Sequence, residues 1–221
     1  MLTDEQIELN KSRYLKLIKS ISREGALIDK LVAKLEGSDF FIAPASTQYH
    51  CAYKGGLCQH SLNVYDQLCK LIRVEYPVKI VKYKDGDLDR EKIEKTNPFT
   101  SDNLKIVALL HDISKMNFYE VSQRNVKNEE GKWTQVPFIK VKEATDRFLY
   151  GNHEQNSLYI ASTFIPLYIE EEVAILHHMG GKGIDSTQEN LTPIYNKYTL
   201  ALLLHVADML ATYKDEVYKD E

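Results

Sequence analysis

The sequence has few of the features that would place it outside the reducing interior of a cell. Its 221 residues include only 3 cysteines and no Cys-x-x-Cys pair, so no disulfide framework is indicated. The first residues are polar and acidic and do not resemble the apolar region of a signal peptide. No stretch approaches the roughly 18 consecutive apolar residues of a membrane span. We therefore expect a cytoplasmic protein with no membrane partner.

Charge and composition exclude several further classes. The net charge is −4, from 28 basic and 32 acidic residues, which argues against a protein that coats nucleic acid. Hydrophobic residues make up 43% of the chain and charged residues 27%, a balance that argues against wholesale disorder. The sequence has no internal repeat, no glycine-rich phosphate loop and no nucleophile-elbow motif. The length suits one domain with a sizeable core.

What the sequence does have is helical periodicity over most of its length. Apolar residues recur at helical spacing over 3–36, with Gly25 and Gly37 as breaks, so one or two amphipathic helices are predicted there. Asn152, followed by Gln155, indicates the start of another helix. The remaining predicted helices cover 57–75, 103–114, a segment between Pro166 and Gly180, and 197–213.

Two segments depart from the helical pattern. Residues 119–142 place β-branched and aromatic side chains on either side of a Glu-Gly turn, which predicts a β-hairpin. Residues 77–101 are highly charged and contain the turn dipeptide Asp-Gly, so we expect a surface insertion, with a small hairpin as one interpretation. The predicted fold is therefore mostly α, a helical bundle with a small β-hairpin insertion.

Several of the 7 histidines lie in strongly apolar surroundings. His60 lies on the apolar face of its predicted helix, and His111 and Asp112 follow the apolar run 106–110. Asp208 lies in the most apolar helix of the chain. A buried carboxylate is costly unless it meets a cation or several donors. Imidazole and carboxylate groups together suit a divalent transition ion or magnesium.

The adjacency of His111 and Asp112 adds to this hypothesis. Neighbours on a helix diverge by about 100°, so the two side chains would flank an ion, and Asp112 has two oxygens that could bridge two ions. Plainer interpretations stay open, because a His-Asp pair is usually structural and His205 could be the hydrogen-bond partner of Asp208. The coincidence of these features on separate apolar helices favours a site.

The order His60, His111-Asp112, Asp208 resembles the HD-domain metal-dependent phosphohydrolase superfamily. The local contexts resemble the family as well: Gly-Gly-Leu-Cys-Gln-His ends at His60, Leu-Leu-His-Asp-Ile-Ser-Lys contains His111, and Leu-His-Val-Ala-Asp ends at Asp208. The resemblance runs from about residue 40 to residue 213.

Three further segments resemble particular members of this superfamily. Residues 151–157 and 174–180 are similar to the extra histidine motifs of six-ligand members. Residues 44–50 resemble the leader of a bacterial and phage subgroup of HD-domain hydrolases. This region is also similar to the HD module of some bacterial 3′-to-5′ exoribonucleases.

The resemblance implies a ligand set for one or two divalent ions, with Mn, Fe, Ni, Mg, Co and Zn all left open. The implied metal ligands are His60, His111, Asp112, Asp208, His153 and one of His177 or His178, of which His178 directly precedes the Met-Gly of the family pattern. Asp112 and Lys115 are the implied catalytic residues. Lys115 is expected near the phosphate, with a solvated surface lysine as the alternative.

Two more residues are candidates for binding substrate. His50 lies just before the first motif and could line the pocket, although a loop histidine satisfied by backbone groups is an equal alternative. Arg124, on the predicted hairpin, could form a basic lip over the site, whereas acidic neighbours on that hairpin argue against a strong basic patch.

The domain and functional hypotheses follow from the resemblance. Residues 40–221 are expected to form the hydrolase domain, and residues 1–39 a helical extension that packs on it. The implied activity is hydrolysis of a phosphate ester, of a nucleotide or another small phosphorylated substrate, by a metal-activated water. One alternative is a phosphodiesterase or exonuclease acting on single-stranded nucleic acid, which is not favoured. The other is a non-catalytic nucleotide-binding regulatory module.

Overall fold

The computed structural model describes residues 1–85, 87–94, 96–180 and 190–216. The α-helices of these ranges are α1 Asp4–Lys19, α2 Ile28–Glu36, α3 Gly56–Glu75, α4 Ser101–Leu110, α5 His153–Phe164, α6 Ile169–Leu176, α7 Thr192–Lys197 and α8 Thr199–Leu210. The strands are β1 Lys79–Asp85, β2 Leu88–Glu94, β3 Tyr119–Lys127 and β4 Trp133–Val141. The fold is mostly helical with small hairpins, which confirms that part of the predicted fold class.

The N-terminal helices follow local sequence signals. The Thr3 hydroxyl accepts from the Gln6 N–H, and the Gln6 side chain accepts from the Thr3 N–H, so a capping box begins α1. Gly25, with a φ of 76°, lies between α1 and α2, as predicted. Tyr14 is fully buried and its hydroxyl donates to the Leu109 carbonyl oxygen at 2.6 Å. Residues of α1 thus share a core with α4, while the boundary between residues 39 and 40 stays a prediction.

The hydrophobic core lies between α3, α4, α6 and α8. These helices contact one another in the pairs α3–α4, α3–α8, α4–α6 and α6–α8. Each contributes fully buried aliphatic side chains, such as Leu57, Leu109, Ile175 and Leu204. Burial of one such side chain stabilises the fold by roughly 1.5–3 kcal/mol. The four helices are therefore fixed relative to one another by packing, and so are the side chains at their ends.

The start of α3 depends on two consecutive glycines. Gly55 has a φ of 82°, in the left-handed region that glycine adopts without strain. At Gly56, an added Cβ would overlap the carbonyl oxygen of Cys51. The loop and the helix could not approach so closely with any other residue at this position, so Gly56 fixes where α3 begins.

A buried ion pair ties the segment after α1 to α6. The Arg23 guanidinium donates to the two carboxylate oxygens of Glu171, at 2.8 and 2.9 Å. The Asn103 side chain and the Tyr168 N–H also donate to this carboxylate, each at 2.8 Å. Glu171 is fully buried, and both of its oxygens are satisfied.

Two antiparallel hairpins interrupt the helical sequence. β3 pairs with β4, with Tyr119 opposite Val141, which confirms the hairpin predicted over 119–142. β1 pairs with β2, with Lys79 opposite Glu94. This second hairpin agrees with the interpretation of the charged segment as a surface insertion, because every residue of its two strands is exposed.

The ends of three predicted helices are wrong. α4 ends at Leu110 and not at 114, α6 ends at Leu176 and not near 180, and α8 gives way to a π-helical turn, Ala211–Asp215. Apolar residues continue beyond the helix end because they are buried in the loop as well; Ile113, after α4, is fully buried. Apolar periodicity therefore marks burial here and not the last helical turn. Within the described ranges, no helix combines the length and apolar character needed to span a membrane.

Candidate metal centre

The structure brings all six predicted metal ligands to one place. They come from five parts of the chain, and all except His153 are at most 9% exposed. α3 carries His60, His111 and Asp112 follow α4, α5 begins with His153, His178 follows α6, and α8 carries Asp208. The side chains meet at helix ends and faces that the shared core holds in position.

His111 and Asp112 reach this place because α4 stops before them. His111 keeps helical dihedral angles as the C-cap, whereas Asp112, with φ −112° and ψ 16°, leaves the helix. The two residues therefore do not belong to one continuous helix, although both were predicted to lie in the helix over 103–114. Oδ2 of Asp112 lies 3.5 Å from Nε2 of His111, so the two neighbours face the same point.

One group of donor atoms, the His60 site, consists of His60, His111, Asp112 and Asp208. Nε2 of His60 lies 3.2 Å from Oδ1 of Asp208 and 3.6 Å from Oδ2 of Asp112. The same atom lies 3.3 Å from Nε2 of His111. Two imidazoles and two carboxylates thus converge within a few ångströms.

A second group, the His153 site, consists of Asp112, His153 and His178. Oδ1 of Asp112 lies 3.6 Å from Nε2 of His178 and 3.9 Å from Nε2 of His153, which is too far for hydrogen bonds. These three atoms are buried, and none has a hydrogen-bond partner among the described residues. Asp112 therefore presents Oδ2 to the His60 site and Oδ1 to the His153 site.

Backbone carbonyls fix the orientation of two of the histidine rings. Nδ1 of His111 donates to the Ala108 carbonyl oxygen at 2.9 Å, and Nδ1 of His178 donates to the Ile175 carbonyl oxygen at 2.7 Å. A carbonyl oxygen can only accept, so each Nδ1 carries the proton. Burial lowers the pKa of His111, so its neutral ring presents the lone pair of Nε2 to the site, as in metal-ligating histidines. Burial acts to lower the pKa of His178 as well, but Asp112 outweighs it and raises that pKa.

Carboxylates lie behind the other two rings. Nδ1 of His60 lies 3.0 Å from Oε1 of Glu216, and Nδ1 of His153 lies 3.1 Å from Oε2 of Glu154. Sequence reasoning missed both glutamates. Glu154 directly follows His153, so adjacency was an available signal. Glu216 gave no such signal, because it lies in a charged segment that resembles an ordinary solvated chain end.

The pKa values divide the histidines by charge. Burial lowers the pKa of His111 to about 4 and that of His153 to about 3, so both rings are neutral at pH 7. Burial also acts to lower the pKa of His60, but Glu216 and Asp208 outweigh it and raise that pKa to about 10. In the metal-free protein, a proton on His60 therefore balances part of the surrounding negative charge.

Both aspartates are ionised. Burial acts to raise the pKa of Asp112, but Lys115, His111 and His178 hold it well below its usual range. The pKa of Asp208 is lowered against the effect of burial, chiefly by His60. The Lys115 ammonium donates to Oδ2 of Asp112 at 2.6 Å, and its own pKa is raised by that carboxylate against the effect of burial.

A cleft of about 710 Å³ opens onto the centre. Its polar lining comes from His50, His60, Asp112, Lys115, His205 and Asp208, and its apolar walls from Tyr49, Met179, Met209 and Tyr213. The predicted positions of His50 and Lys115 beside the site agree with this lining. His205 donates from Nδ1 to the carbonyl oxygen of His178 at 2.6 Å. α8 presents part of its surface to this cleft, where Met209 is 47% exposed.

Two other candidates lie elsewhere. The Arg124 guanidinium on β3 packs over the Phe138 ring, 5.6 Å from its centroid, and does not line this cleft. Its expected contact with substrate stays a prediction. His177 is buried at the end of α6 and belongs to none of the possible ligand groups in the described ranges. Of the two neighbouring histidines, His178 is the one that the fold directs into the centre.

Comparison of the chain with protein-family models, with curated proteins and with solved structures found no significant match.

Proposed function

We propose that this chain is a metal-dependent phosphohydrolase of the HD-domain type that cleaves a phosphate ester, with a nucleotide as the favoured substrate class. One observation carries the proposal. In the His153 site, Oδ1 of Asp112 and Nε2 of His153 and His178 are buried, lie within 4.8 Å of one another and have no hydrogen-bond partner among the described residues. An unpaired buried polar atom costs roughly 1–3 kcal/mol. Three together favour a bound cation.

A divalent ion fits the spacing of both groups. Two ligands bonded to one ion at about 2.1 Å lie roughly 3.0–3.5 Å apart at ordinary coordination angles. The donor atoms of the His60 site include pairs at 3.2 and 3.6 Å, and those of the His153 site include pairs at 3.6 and 3.9 Å. Small side-chain movements would bring each set onto an ion. Mixed imidazole and carboxylate ligands accept several divalent ions, so availability would decide the metal.

The residues around the donors suit a phosphorylated substrate. Divalent ions, when bound, supply Lewis-acid stabilisation of a phosphoryl oxygen and lower the pKa of a bound water. Asp112 belongs to both groups, so its position fixes the distance between them. Lys115 keeps a positive charge at the cleft, where it complements the negative charge of a phosphate. His50 and His205 lie in the same cleft and can hydrogen-bond to substrate oxygens.

The cleft favours a small substrate that has an apolar part. Its volume of about 710 Å³ is typical of small-molecule sites, which span roughly 300–1,000 Å³. Tyr49 and Tyr213 are 80% and 75% exposed and offer ring faces at the rim. A nucleotide combines a phosphate with a flat base that such rings can stack on.

The test begins with protein stripped of metal by a chelator. It is reloaded separately with Mn²⁺, Mg²⁺, Ni²⁺ or Fe²⁺ and assayed against nucleotides, other phosphomonoesters, phosphodiesters and short oligonucleotides. We expect phosphate release from a nucleotide only after reloading. If the protein binds no divalent ion and turns over no ester, the proposal is wrong. Tight nucleotide binding without turnover would instead support the regulatory module.

Neighbouring histidines provide a matched pair of variants for this test. His178→Gln removes a donor of the His153 site, whereas His177→Gln changes a buried histidine outside both groups. We expect the first to lower the number of bound ions and the second to leave it unchanged, as measured by elemental analysis. Equal effects of the two substitutions would contradict the assignment of His178 as a ligand.

A phosphodiesterase acting on single-stranded nucleic acid is the second candidate. A specific observation favours it: the Tyr159 ring on α5 stacks on Phe148 at 5.5 Å and on Tyr150 at 4.8 Å, and all three rings are partly exposed. The same helix begins with His153. Exposed rings are typical platforms for unpaired bases. On this alternative, Tyr150→Ala weakens oligonucleotide binding and leaves turnover of mononucleotides unchanged.

A further inference from the structure

The turn after α8 folds back onto α3, where Asp215 stays exposed and the side chain of Glu216 is buried. Asp215 accepts a hydrogen bond from the Gln67 side chain. Glu216 accepts from the Asn63 side chain at 2.9 Å and lies 3.0 and 3.2 Å, through its two oxygens, from Nδ1 of His60. The Glu216 side chain is only 1% exposed. Three contacts therefore hold this carboxylate behind the His60 ring.

Glu216 differs from the groups that lie behind His111 and His178. Those rings are held by backbone carbonyl oxygens, which are neutral, whereas His60 is held by an ionised carboxylate. A carboxylate behind a histidine ligand fixes the ring orientation and makes the other ring nitrogen a stronger donor. Glu216 does not itself line the cleft, whereas His60, to which it is hydrogen-bonded, does.

We propose that Glu216 is a positioning residue, which holds Nε2 of His60 toward Asp208 and Asp112 and thereby sets the metal affinity of the His60 site. This inference rests on the proposed metal-dependent function. On this proposal, the turn that carries Glu216 supports the centre from behind the His60 ring, outside the His60 site and the His153 site. Loss of a group of this kind weakens metal binding by about 10- to 100-fold in metalloproteins.

Three variants separate positioning from simple docking of the turn. Glu216→Ala removes the carboxylate, and Glu216→Gln keeps its shape and one acceptor oxygen without the charge. Asp215→Asn changes the neighbouring carboxylate, which accepts a hydrogen bond from Gln67 on α3 and from no histidine of the described ranges. The Zn²⁺ dissociation constant of each protein is measured by competition with a chromophoric chelator. We expect weakening by about 10- to 100-fold for Glu216→Ala, a smaller loss for Glu216→Gln and less than about threefold for Asp215→Asn.

A second readout does not depend on metal. In the metal-free protein, the ring Nδ1–H of His60 donates to a carboxylate, so its proton signal lies far downfield and is assigned by its loss in His60→Gln. We expect Glu216→Ala to abolish this signal, Glu216→Gln to move it upfield and Asp215→Asn to leave it in place. If Glu216→Ala does not fold, Glu216→Gln alone carries both readouts.

The outcomes distinguish the two proposals. Wild-type protein that binds no Zn²⁺ would contradict the proposed function, and the His60 signal would then still test the contact with Glu216. If Glu216→Gln matches the wild type in both affinity and His60 signal, positioning is wrong. If Asp215→Asn weakens Zn²⁺ binding as much as Glu216→Ala does, the site depends only on the contact of the turn with α3. The positioning role of Glu216 is then wrong.

Discussion

The protein buries two charged clusters that are built in opposite ways. Around Glu171, four donated hydrogen bonds of 2.8–2.9 Å satisfy both oxygens of the carboxylate. Around Asp112, Lys115 makes one short contact, but the neighbouring histidine nitrogens lie 3.5–3.9 Å away and Oδ1 has no hydrogen-bond partner in the described part of the chain. Both carboxylates are almost completely inaccessible to solvent.

This difference separates a cluster that stabilises the fold from one that could hold a metal ion. A buried carboxylate whose partners are all within the protein contributes to stability only while those partners remain. A buried carboxylate that faces several unpaired nitrogen atoms gains its missing interactions from outside the chain.

The largest effect is expected for Asp112→Asn, because it removes negative charge from both metal groups. We expect activity to fall by at least about a thousandfold, or about 4 kcal/mol in the activation barrier, together with loss of bound metal. The unfolding free energy of the metal-free protein should fall by less than the roughly 3–5 kcal/mol typical of a buried ion pair that loses one partner, because the asparagine oxygen still accepts from Lys115. Asp89→Asn, on an exposed strand of the β1–β2 hairpin, is the control and should change none of these. If the Asp112→Asn protein retained both ions, Asp112 would not be a metal ligand.

Arg23→Ala should have the opposite pattern. It leaves Glu171 buried without its cation, which costs about 3–5 kcal/mol of stability, as measured by urea unfolding. The folded fraction should bind as many ions as the wild type. Arg13→Ala is the matched control, because its ion pair with Asp66 is exposed and should contribute less than about 1 kcal/mol. Similar losses for the two arginine variants would contradict the structural role given to the Glu171 cluster.

The pH dependence of the metal-free protein should reveal the proton on His60. Its pKa in the folded protein is raised to about 10, above the value of about 6.5 in an unfolded chain. Its contribution to stability is therefore complete below pH 6.5 and is lost as the pH rises toward 10. For one proton, the loss between pH 7 and 9 is at most about 2.7 kcal/mol.

The measurement is the unfolding free energy of metal-free protein at pH 7 and pH 9, for the wild type and for His60→Gln. Other groups titrate in the same range, so the difference between the two proteins isolates His60. We expect the wild type to lose more stability than the variant. Parallel pH profiles would show that His60 carries no extra proton in the folded state.

The smallest effect is expected from replacing residues 79–94, the β1–β2 hairpin, with a short Gly-Ser linker. Every described residue of its strands is exposed, so it contributes little to either buried cluster. We expect the stability to change by about 1 kcal/mol or less, and metal binding to stay the same. A loss of bound metal would show that the β1–β2 hairpin also supports the candidate metal centre.

Much of the fold was predictable because its signals are local. The Asn152 and Gln155 capping box begins α5 as predicted, and each side chain accepts a hydrogen bond from the other residue's N–H. Gly25 separates α1 from α2. The helix ends were less predictable, because Ile113 is as well buried as the residues of α4 although it lies beyond that helix.

The meeting of the candidate ligands was predictable from the sequence, whereas the residues that hold them in position were not. The ligand set follows from motif resemblance, and the structure brings those side chains together. The role of Glu216 could not be predicted, because it depends on a turn that returns to a helix 156 positions earlier in the chain. Which oxygen of Asp112 faces which histidine depends on where α4 ends, and the sequence pattern does not specify that residue.

The hydrogen bonds from His111 to Ala108 and from His178 to Ile175 each join a histidine of the candidate metal centre to the last turn of a helix. Both α4 and α6 therefore end at this candidate centre. A helix carries a partial negative charge of about −0.5 at its carboxyl end. The dipoles of α4 and α6 thus favour a cation at this point, whereas the amino end of α5, which begins with His153, acts in the opposite sense. The backbone contributes to charge selectivity there, independently of the side chains that would bind the ion.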